Sequence, residues 1–591
     1  MKNILLLFAI LFLITATSFS QDLRPQFRTY GEQKQIIDSE LQRKGEVYFK
    51  FYSDSRNRIS SFTNIISIDN VKDNIINFEV FAYANSNEIS EFAKSGLKFI
   101  LLPHPGDGPG YKTSDNIYEI MAWDTYPTYD AYVAMMYQFQ SSYPTRCKIV
   151  DAGTTVQGRK ILFAKISDSV DFRKNKPRFQ YSSTMHGDET TGYVLMLRLI
   201  DTLLKGYGTD AKITNLVRNV EIWINPNANP DGTYHGGNST VNGATRYNYN
   251  NFDINRNFPD PRAGPNPGGT WQPETIIFMN LAAANRFTLS ANFHGGAEVL
   301  NYPWDTWSRL HPDDLWFIHA ARHYADTVHA VNSSYLADLL GYPNIPGVVN
   351  GYAWYQIDGG RQDFMTYFKK GREITMEISH TKLLPPAQLP AHWNYNFKSL
   401  LNYIQESLYG VRGIVTDSVT GIPLKAKVTV LSHDADSSEV MCDSIIGDYH
   451  RLIIGGTYSL KFTAPGYYDK TISNVFVKND STTILNVLLK STSTGLNPEF
   501  GTINSYKLYQ NYPNPFNPAS VIKFDVPSPG NVKILVYDVT GKMISCLTNK
   551  VYKTGSYSVN WNAGAEIPSG IYYCRMETQE NIFTIKMALI R

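Results

Sequence analysis

Apolar strands alternate with helical stretches over residues 117–408, and this alternation constrains the fold more than any other feature of the chain. Runs such as KILFAKISD, PRFQYSSTMH and NVEIWINPNANPDG have the apolar character of strands that are covered on both faces. The pattern predicts an α/β domain whose mixed, mostly parallel sheet carries helices on both faces. Ligands bind such sheets beyond the carboxyl ends of the strands.

At 591 residues the chain is long enough for three or four folded units, and its composition changes along its length. Strand and helix patterns before the main domain predict a small α/β domain, which is either a prosegment that covers an active site or merely an extra domain. Period-two strands with Gly and Pro turns predict two β-sandwich modules after it. The expected order is a signal peptide (1–20), the small α/β domain (21–112), the main domain (113–408), a β-module (409–490), a polar linker (491–505) and a C-terminal β-module (506–591).

The N-terminus predicts export. Lys2 supplies a positive charge, Ile4–Ile14 an apolar core and Ala16–Ser20 a run rich in small residues, which together are typical of a secretory signal. The alternative is a buried N-terminal helix. No later stretch approaches the roughly 20 apolar residues that a transmembrane helix needs, so we expect no transmembrane anchor.

Charge and cysteine content argue against two classes of protein, nucleic-acid-binding proteins and disulfide-rich scaffolds. The net charge of +2 gives no electrostatic reason to expect nucleic-acid binding. Only four cysteines are present, so the chain is not a disulfide-built scaffold. Cys546 and Cys574 lie in one module, where they either form a disulfide or remain free, buried thiols.

A metal site is predicted at the ends of two strands of the main domain. His186 and Glu189 follow one strand at a spacing that lets both side chains face one ion, and His294 ends a later strand. Catalytic zinc sites use three protein ligands and leave a fourth position open. The sequence therefore predicts a zinc site formed by these three residues.

Further polar residues suit hydrolytic chemistry. Arg256, in the run RYNYNNFDINRNFPD, has the planar guanidinium that grips a carboxylate at two points. Asp253 could orient a metal-binding histidine by accepting its second ring N–H. Glu377 lies among the apolar residues of EITMEIS, where burying a carboxylate without a task is costly.

Six segments in this order resemble the zinc metallocarboxypeptidases of the funnelin type, closest to the regulatory subgroup of carboxypeptidases D, E, M and N. The segments are HGDE, NPDG, RYNYNNFDINRNFPD, NFHGGAEVLNYPWD, AWYQIDGGRQDF and EITMEIS. The match covers essentially residues 117–408, about half of the chain, and the resemblance implies hydrolysis of the C-terminal peptide bond of peptides and proteins.

The resemblance also implies a role for each matching residue. The implied set is one Zn²⁺ per catalytic domain on His186, Glu189 and His294, a general base in Glu377, an oxyanion-stabilising Arg246, a carboxylate-binding pair in Asn255 and Arg256, and a closing tyrosine in Tyr355. Gln362 matches the floor of the pocket for the terminal side chain. Asp305 matches the acid that pairs with basic side chains in the regulatory subgroup, which implies a preference for C-terminal Arg or Lys.

The two β-modules have resemblances of their own. Residues 409–490 look like the transthyretin-like domain that follows the catalytic domain in regulatory carboxypeptidases. Residues 506–591, which include YPNPFNP, are similar to the C-terminal sorting domain of the type IX secretion system, although a generic β-sandwich is the alternative. The resemblance implies passage of the inner membrane by the signal peptide, passage of the outer membrane with the type IX machinery as partner, and release or attachment at the cell surface.

Two other functions remain open at this point. The scaffold could serve a metallopeptidase that cleaves cell-wall peptides, although the residues that match carboxylate and basic side-chain binding favour substrates with a free C-terminus. Alternatively, the chain could be an inactive surface-binding protein that uses its β-modules for adhesion. A complete set of zinc and base positions argues against this second alternative.

Overall fold

The computed structural model describes residues 26–74, 76–492, 505–511, 514–564, 566–579 and 581–590. The chain forms two compact units that divide between Lys490 and Ser491. The predicted signal peptide and most of the predicted linker lie outside the described residues. Within the described part of the chain, no helix has both the length and the apolar character that a bilayer crossing demands.

The first unit begins with a four-stranded antiparallel sheet around a phenylalanine-rich core. Its strands lie in the order Ser67–Asp73, Phe78–Ala84, Val47–Ser53 and Phe99–Leu101. Its helices are Tyr30–Lys44, Arg56–Phe62 and Ser86–Ala93. Thr29 begins the first of these helices with a capping box, because its side chain accepts from the N–H of Glu32 while Glu32 accepts from the N–H of Thr29.

An eight-stranded mixed sheet follows and confirms the predicted fold class. Its strands lie in the order Val348–Asn350, Glu298–Tyr302, Arg372–Ile378, Leu289–His294, Arg178–Ser183, Glu221–Asn225, Lys160–Ile166 and Cys147–Thr154. Three consecutive pairings in the middle of this order are parallel. The segments HGDE, NPNANPDG and the end of NFH therefore leave the sheet at one edge.

Helices cover both faces of this sheet because successive residues of its strands point in opposite directions. Leu162 and Ala164 join one core, whereas Ile161 and Phe163 join the core on the other face. The longer helices are Tyr129–Ser142, Thr191–Gly206, Ala211–Asn219, Pro273–Asn285, Asp314–His329 and Leu389–Glu406. Shorter elements are Thr113–Ser114, Ile117–Ile120, Tyr126–Pro127, Pro230–Thr233, Ile254–Arg256, Gly351–Trp354, Arg361–Asp363, Phe364–Phe368 and Pro386–Gln388.

A β-module completes the first unit, and the second unit is again built of strands. The β-module has its own core, and its strands are Gly410–Asp417, Lys427–Val430, Val440–Met441, Asp448–Arg451, Gly456–Thr463, Lys470–Val477, Thr482–Ile484 and Val487–Leu489. The strands of the second unit are Lys507–Leu508, Ala519–Val526, Gly530–Asp538, Met543–Tyr552, Gly555–Asn562, Gly570–Glu577 and Ile582–Leu589. Cys546 and Cys574 do not form a disulfide, and both are free thiols.

Candidate metal centre and substrate cleft

His186, Glu189 and His294 bring three donor groups to one point at the edge of the main sheet. The Nδ1 atoms of the two histidines lie 3.0 Å apart. The two carboxylate oxygens of Glu189 lie 2.9 Å from Nδ1 of His186 and 2.7 Å from Nδ1 of His294. All three side chains are buried.

The hydrogen bonds made by the Nε2 atoms of the two histidines indicate that the cluster can bind a cation. Nε2 of His186 donates to Oδ1 of Asp253 over 3.1 Å, and Nε2 of His294 donates to Oδ1 of Asn292 over 2.5 Å. With the proton on Nε2, both Nδ1 atoms carry lone pairs directed at each other and at a carboxylate. Burial lowers the pKa of His294 to about 4, which favours the neutral imidazole that binds metal, whereas the carboxylates of Glu189 and Asp253 outweigh burial and raise the pKa of His186. Two nitrogens and one carboxylate form a donor set that suits zinc.

Glu377 lies beside this cluster because its strand pairs with the strand of His294. The two residues are direct partners in the parallel register. One carboxylate oxygen of Glu377 is buried without a hydrogen-bond partner in the described part of the chain. Burial and the neighbouring Glu189 carboxylate hold the pKa of Glu377 well above its usual range. Once a cation on the neighbouring ligands keeps Glu377 ionised, its raised proton affinity and its unpartnered oxygen suit it to accept a proton from a molecule in the cleft.

Arg246, Asn255 and Arg256 line the cleft next to the metal cluster. Asp253 fixes this arrangement, since its Oδ1 accepts from the N–H of Asn255 over 2.8 Å and its Oδ2 lies 3.2 Å from Nη2 of Arg246. Nη1 of Arg246 donates to Glu189 over 3.2 Å. Nε of Arg256 is buried without a partner among the described residues. The guanidinium of Arg256 therefore has unused capacity to donate.

Asp305 and Gln362 are buried and hydrogen-bonded to each other near Arg256. Nε2 of Gln362 donates to Oδ1 of Asp305 over 3.0 Å and to Oδ1 of Asn301 over 3.2 Å. Burial raises the pKa of Asp305 to about 7. A Cβ atom on Gly351 would lie 1.7 Å from Oδ1 of Asp305, so only glycine fits against this carboxylate.

Four residues of the N-terminal sheet, Ser67–Asn70, occupy the cleft, and we call them the cleft segment. Nε of Arg246 donates to Oγ of Ser67 over 2.9 Å, and Nη2 of Arg256 donates to the carbonyl of Ile68 over 2.8 Å. The hydroxyl of Tyr355 donates to the carbonyl of Asp69 over 3.1 Å. The cleft segment thus contacts three residues for which the family resemblance implies contact with substrate.

The side chain of Asp69 is the most strongly held part of the cleft segment. Its Oδ1 lies 3.0 Å from Nη1 of Arg246 and 2.7 Å from Nζ of Lys382. Lys382 also donates to Glu189 over 2.6 Å and to the carbonyl of Gly295 over 2.8 Å. Asp69, Arg246 and Lys382 are all buried, so the carboxylate and the two cations stabilise one another, and removal of one would leave a buried charge poorly compensated.

Three further buried contacts join the N-terminal sheet to the main domain. The carboxylate of Glu46 accepts from the backbone N–H of Arg246 over 2.7 Å and of Tyr247 over 2.9 Å. The hydroxyl of Tyr83 donates to Asp188 over 2.7 Å. These contacts hold the sheet against the segments that carry the metal cluster.

Sequence reasoning did not find Asn292, Lys382, Asp69 or Glu46. Asn292 lies two residues before His294 on the same strand, so the two side chains share a face, and this spacing is a signal that could have identified it. The other three are charged residues whose partners are distant in sequence. No local pattern marks them.

The chain is similar to known proteins in two regions, the main domain and the C-terminal module. Residues 132–399 match the family model described as zinc carboxypeptidase, and residues 510–590 match the model described as a secretion system C-terminal sorting domain. Carboxypeptidase M of Mus musculus is 36% identical over 353 residues, which cover 56% of this chain and 77% of that protein. The carboxypeptidase N catalytic chain of Homo sapiens is 31% identical over 407 residues, which cover 63% of this chain and 87% of that protein.

Carboxypeptidase D of Rattus norvegicus is similar over a smaller share of its own length. It is 34% identical over 381 residues, which cover 61% of this chain. The aligned part is 27% of that longer protein, so the chain spans about a quarter of the length of carboxypeptidase D.

Proposed function

The chain belongs to the zinc carboxypeptidase family, and from that premise we propose that it is a secreted enzyme that removes the C-terminal residue of peptides and proteins. One observation carries this proposal: beside the cluster of His186, Glu189 and His294, both Glu377 and Arg256 keep one polar atom without a hydrogen-bond partner among the described residues. A metallopeptidase needs a carboxylate such as Glu377 to take a proton from the attacking water. A carboxypeptidase also needs a cation such as Arg256 to bind the terminal carboxylate of the substrate.

The proposed reaction divides among side chains of the cleft. A zinc ion held by His186, Glu189 and His294 would supply Lewis acidity for the attacking water and the scissile carbonyl. Glu377 accepts the proton of that water and passes it to the leaving amine. Arg246 donates to the oxygen that becomes negatively charged, in a site whose burial strengthens the interaction.

Recognition of the substrate end follows from the neighbouring groups. Arg256 and Asn255 bind the free terminal carboxylate, because a guanidinium and an amide can donate several hydrogen bonds to it. Tyr355 closes over the bound residue. The contacts that Arg256 and Tyr355 make with backbone carbonyls of the cleft segment support these roles, since both side chains already reach into the space that a peptide would fill.

The pocket at Asp305 favours a C-terminal Arg or Lys. A buried carboxylate attracts a cationic side chain, and Gln362 holds the Asp305 carboxylate in place. Peptides that end in Arg, Lys, Phe and Ala test this preference when they are cleaved side by side, with and without a chelator. Faster cleavage of the Phe ending would exclude the basic preference while leaving the carboxypeptidase activity intact.

Glu377→Gln separates the enzyme from its alternatives. We expect kcat to fall by about 10²- to 10⁴-fold while bound zinc is retained, because the variant removes only the proton acceptor. Wild-type protein without zinc or peptidase activity would favour the surface-binding alternative. Release of fragments from cell-wall peptides without cleavage of C-terminal residues would favour the cell-wall alternative.

The N-terminal domain, proposed as residues 21–112, acts as a prosegment that keeps the enzyme latent. Support comes from the cleft segment, whose contacts with Arg246, Arg256 and Tyr355 exclude a substrate from the same groups. Cleavage after this domain should release it. Lys112, with a side chain that is 83% exposed, offers a site for trypsin.

Limited proteolysis at Gly106–Lys112 followed by gel filtration tests this role. Activity toward a peptide that ends in Arg should rise when the N-terminal fragment is separated from the remainder. Equal rates before and after separation would make the N-terminal domain a spectator. The chelator-sensitive rate of the uncut chain serves as the reference.

The C-terminal residues specify the destination of the protein. Because residues 510–590 match a secretion sorting domain, we expect the type IX machinery to take the chain across the outer membrane after a signal peptide has taken it across the inner one. The mature enzyme is then released or attached at the cell surface, where it meets peptide and protein substrates. The β-module of residues 409–490 has a role in packing and solubility.

A further inference from the structure

A second cluster of histidine and carboxylate side chains lies where two helices of the main domain meet the β-module. His319 and His323 are one turn apart on the helix Asp314–His329, so they share a face. Glu406 ends the helix Leu389–Glu406, and Asp480 lies in the turn between two strands of the β-module. The cluster shares no residue with the cleft.

The donor atoms of this cluster are already close together. Nε2 of His319 lies 2.9 Å from Oδ1 of Asp480, and Nδ1 of His323 lies 2.8 Å from Oε1 of Glu406. One donor atom each from His323, Glu406 and Asp480 lie within 4.8 Å of one another. A cavity of about 420 Å³, lined in part by His319, His323 and Asp480, gives access from solvent.

The two carboxylates lack cationic partners of the usual kind. Within the ranges that the structure describes, neither Glu406 nor Asp480 forms an ion pair with a Lys or Arg side chain. Arg322 pairs instead with Asp326 at 3.6 Å. Each carboxylate faces an imidazole, and the hydrogen bond from Glu406 raises the pKa of His323, so this point favours a positive charge, which either a ring proton or a divalent cation can supply.

We propose that His319, His323, Glu406 and Asp480 bind one divalent transition-metal ion of the zinc type. Two imidazole nitrogens and two carboxylate oxygens form a four-ligand set for tetrahedral zinc. Calcium is disfavoured because it takes six to eight oxygen ligands. Asp480 is half-exposed, so its side chain can move by the small distance that coordination requires.

The ion would connect the β-module to the main domain. Next to Asp480, the carbonyl of Ser481 accepts from the N–H of Gly410 over 2.9 Å, and the hydroxyl of Thr482 donates to the carbonyl of Leu408 over 2.7 Å. The turn that carries Asp480 is thus already held at the end of the second helix. A metal ion shared by both helices and this turn would add a direct cross-link between the two domains.

Zinc content of the full chain tests the proposal. After dialysis against buffered Zn²⁺, we expect two zinc ions per wild-type chain and one in His319→Ala/His323→Ala, with peptidase activity unchanged. His329→Ala is the matched control on the same helix, because the ring of His329 hydrogen-bonds to the carbonyl of Leu336 and not to the proposed metal ligands, and it should retain two ions. One ion in the wild type, or two in the double variant, would overturn the second site.

A further variant distinguishes the two metal sites. His186→Ala should leave one ion per chain, and that ion should disappear when His319→Ala/His323→Ala is added. If His186→Ala does not lower the zinc content, the failure lies with the proposed catalytic site. In the wild type, added Zn²⁺ should also raise the melting temperature more than it does in Asp480→Asn; equal shifts would count against the cross-link.

Discussion

Asn292 controls the orientation of His294 because its side-chain oxygen accepts the Nε2 proton of that ring. Replacement by alanine would leave the ring free to rotate and to shift its proton to Nδ1, the atom that must bind the metal. We expect Asn292→Ala to weaken zinc binding by about 10- to 100-fold. Competition with a chromophoric chelator measures this affinity directly.

Asn225 provides the control for this substitution. It is also a buried asparagine at the end of a strand, but its amide donates to the carbonyl of Leu162, away from the metal ligands. Asn225→Ala should lower stability without a comparable loss of zinc affinity. Similar zinc affinities in the Asn292 and Asn225 variants would show that Asn292 only supports the fold.

Asp305 should give the enzyme a pH dependence that varies with the substrate. Its pKa of about 7 means that the carboxyl group is neutral below this pH and charged above it. For released enzyme, kcat/KM toward peptides that end in Arg should therefore rise as the pH increases through about 7. Peptides that end in Ala should lack this step, and Asp305→Asn should remove it.

Identical pH profiles for the two substrates would show that Asp305 does not meet the terminal side chain. The comparison depends on using one enzyme preparation with both peptides, because any titration at the metal centre affects them equally. Only the difference between the profiles reports on the pocket.

At the residue scale, sequence was most informative where function requires a particular chemical group. The structure brings His186, Glu189, His294 and Glu377 to one edge of the sheet, as strand order and resemblance led us to expect. Lys382 escaped detection because its role depends on an ion pair with Asp69, 313 positions away in the chain. Such a pairing exists only after two domains have docked.

At the element scale, the strand Ser67–Asp73 is the main feature that the sequence did not indicate. Its sequence, SIDNVKD, is polar, yet residues Ser67 to Val71 are all buried. Strand patterns predict apolar residues on a buried face, because most strands pack against an apolar core. Here one face meets the N-terminal core, while Ser67 and Asp69 meet the charged side chains of the cleft.

Under the proposed prosegment role, Asp69→Ala should open the latent form. The variant removes one of the two carboxylates that Arg246 and Lys382 share, while Glu189 remains, at a cost of about 3 kcal/mol to the closed form. This corresponds to a shift of roughly 100-fold toward the open form, so the activity of the uncut chain should increase strongly. The assay is the initial rate with a peptide that ends in Arg.

Asp73→Ala is the matched control on the same strand. Asp73 is exposed and pairs with Arg56 at the surface, where an ion pair contributes little. Its replacement should leave the rate of the uncut chain unchanged. A similar rate increase in both variants would mean that general destabilisation of the strand activates the chain and that the ion pairs of Asp69 are not required for the closed form.

At the scale of the whole molecule, composition indicated a succession of domains but not how closely they share their cores. Ala297, Val299 and Tyr355 of the main domain pack in the same apolar cluster as the N-terminal sheet. Residues up to Lys490 accordingly form one compact unit. Turn-rich segments such as His104–Asn116 indicate where a boundary lies, but they carry no information about the area buried across it.

Deletion of residues 491–591 should change the location of the protein and leave its catalysis intact. This second unit has its own apolar core and contributes none of the residues proposed for the cleft. The truncated chain should accumulate inside the outer membrane with the same kcat/KM after proteolytic activation. A truncated chain that still reaches the medium would exclude the sorting role, and a large loss of kcat/KM would assign the second unit a part in the enzyme.

The cleft segment has a consequence for the dose of inhibition. As the proposed prosegment, this segment is part of the same polypeptide as the cleft, so it faces the cleft at an effective concentration in the millimolar range, whatever the amount of protein made. Latency is thus independent of expression level until the connecting loop is cut. After the cut, the fragment binds the cleft in a bimolecular equilibrium that depends on concentration. Dilution into the surroundings then lets the fragment dissociate and activates the enzyme.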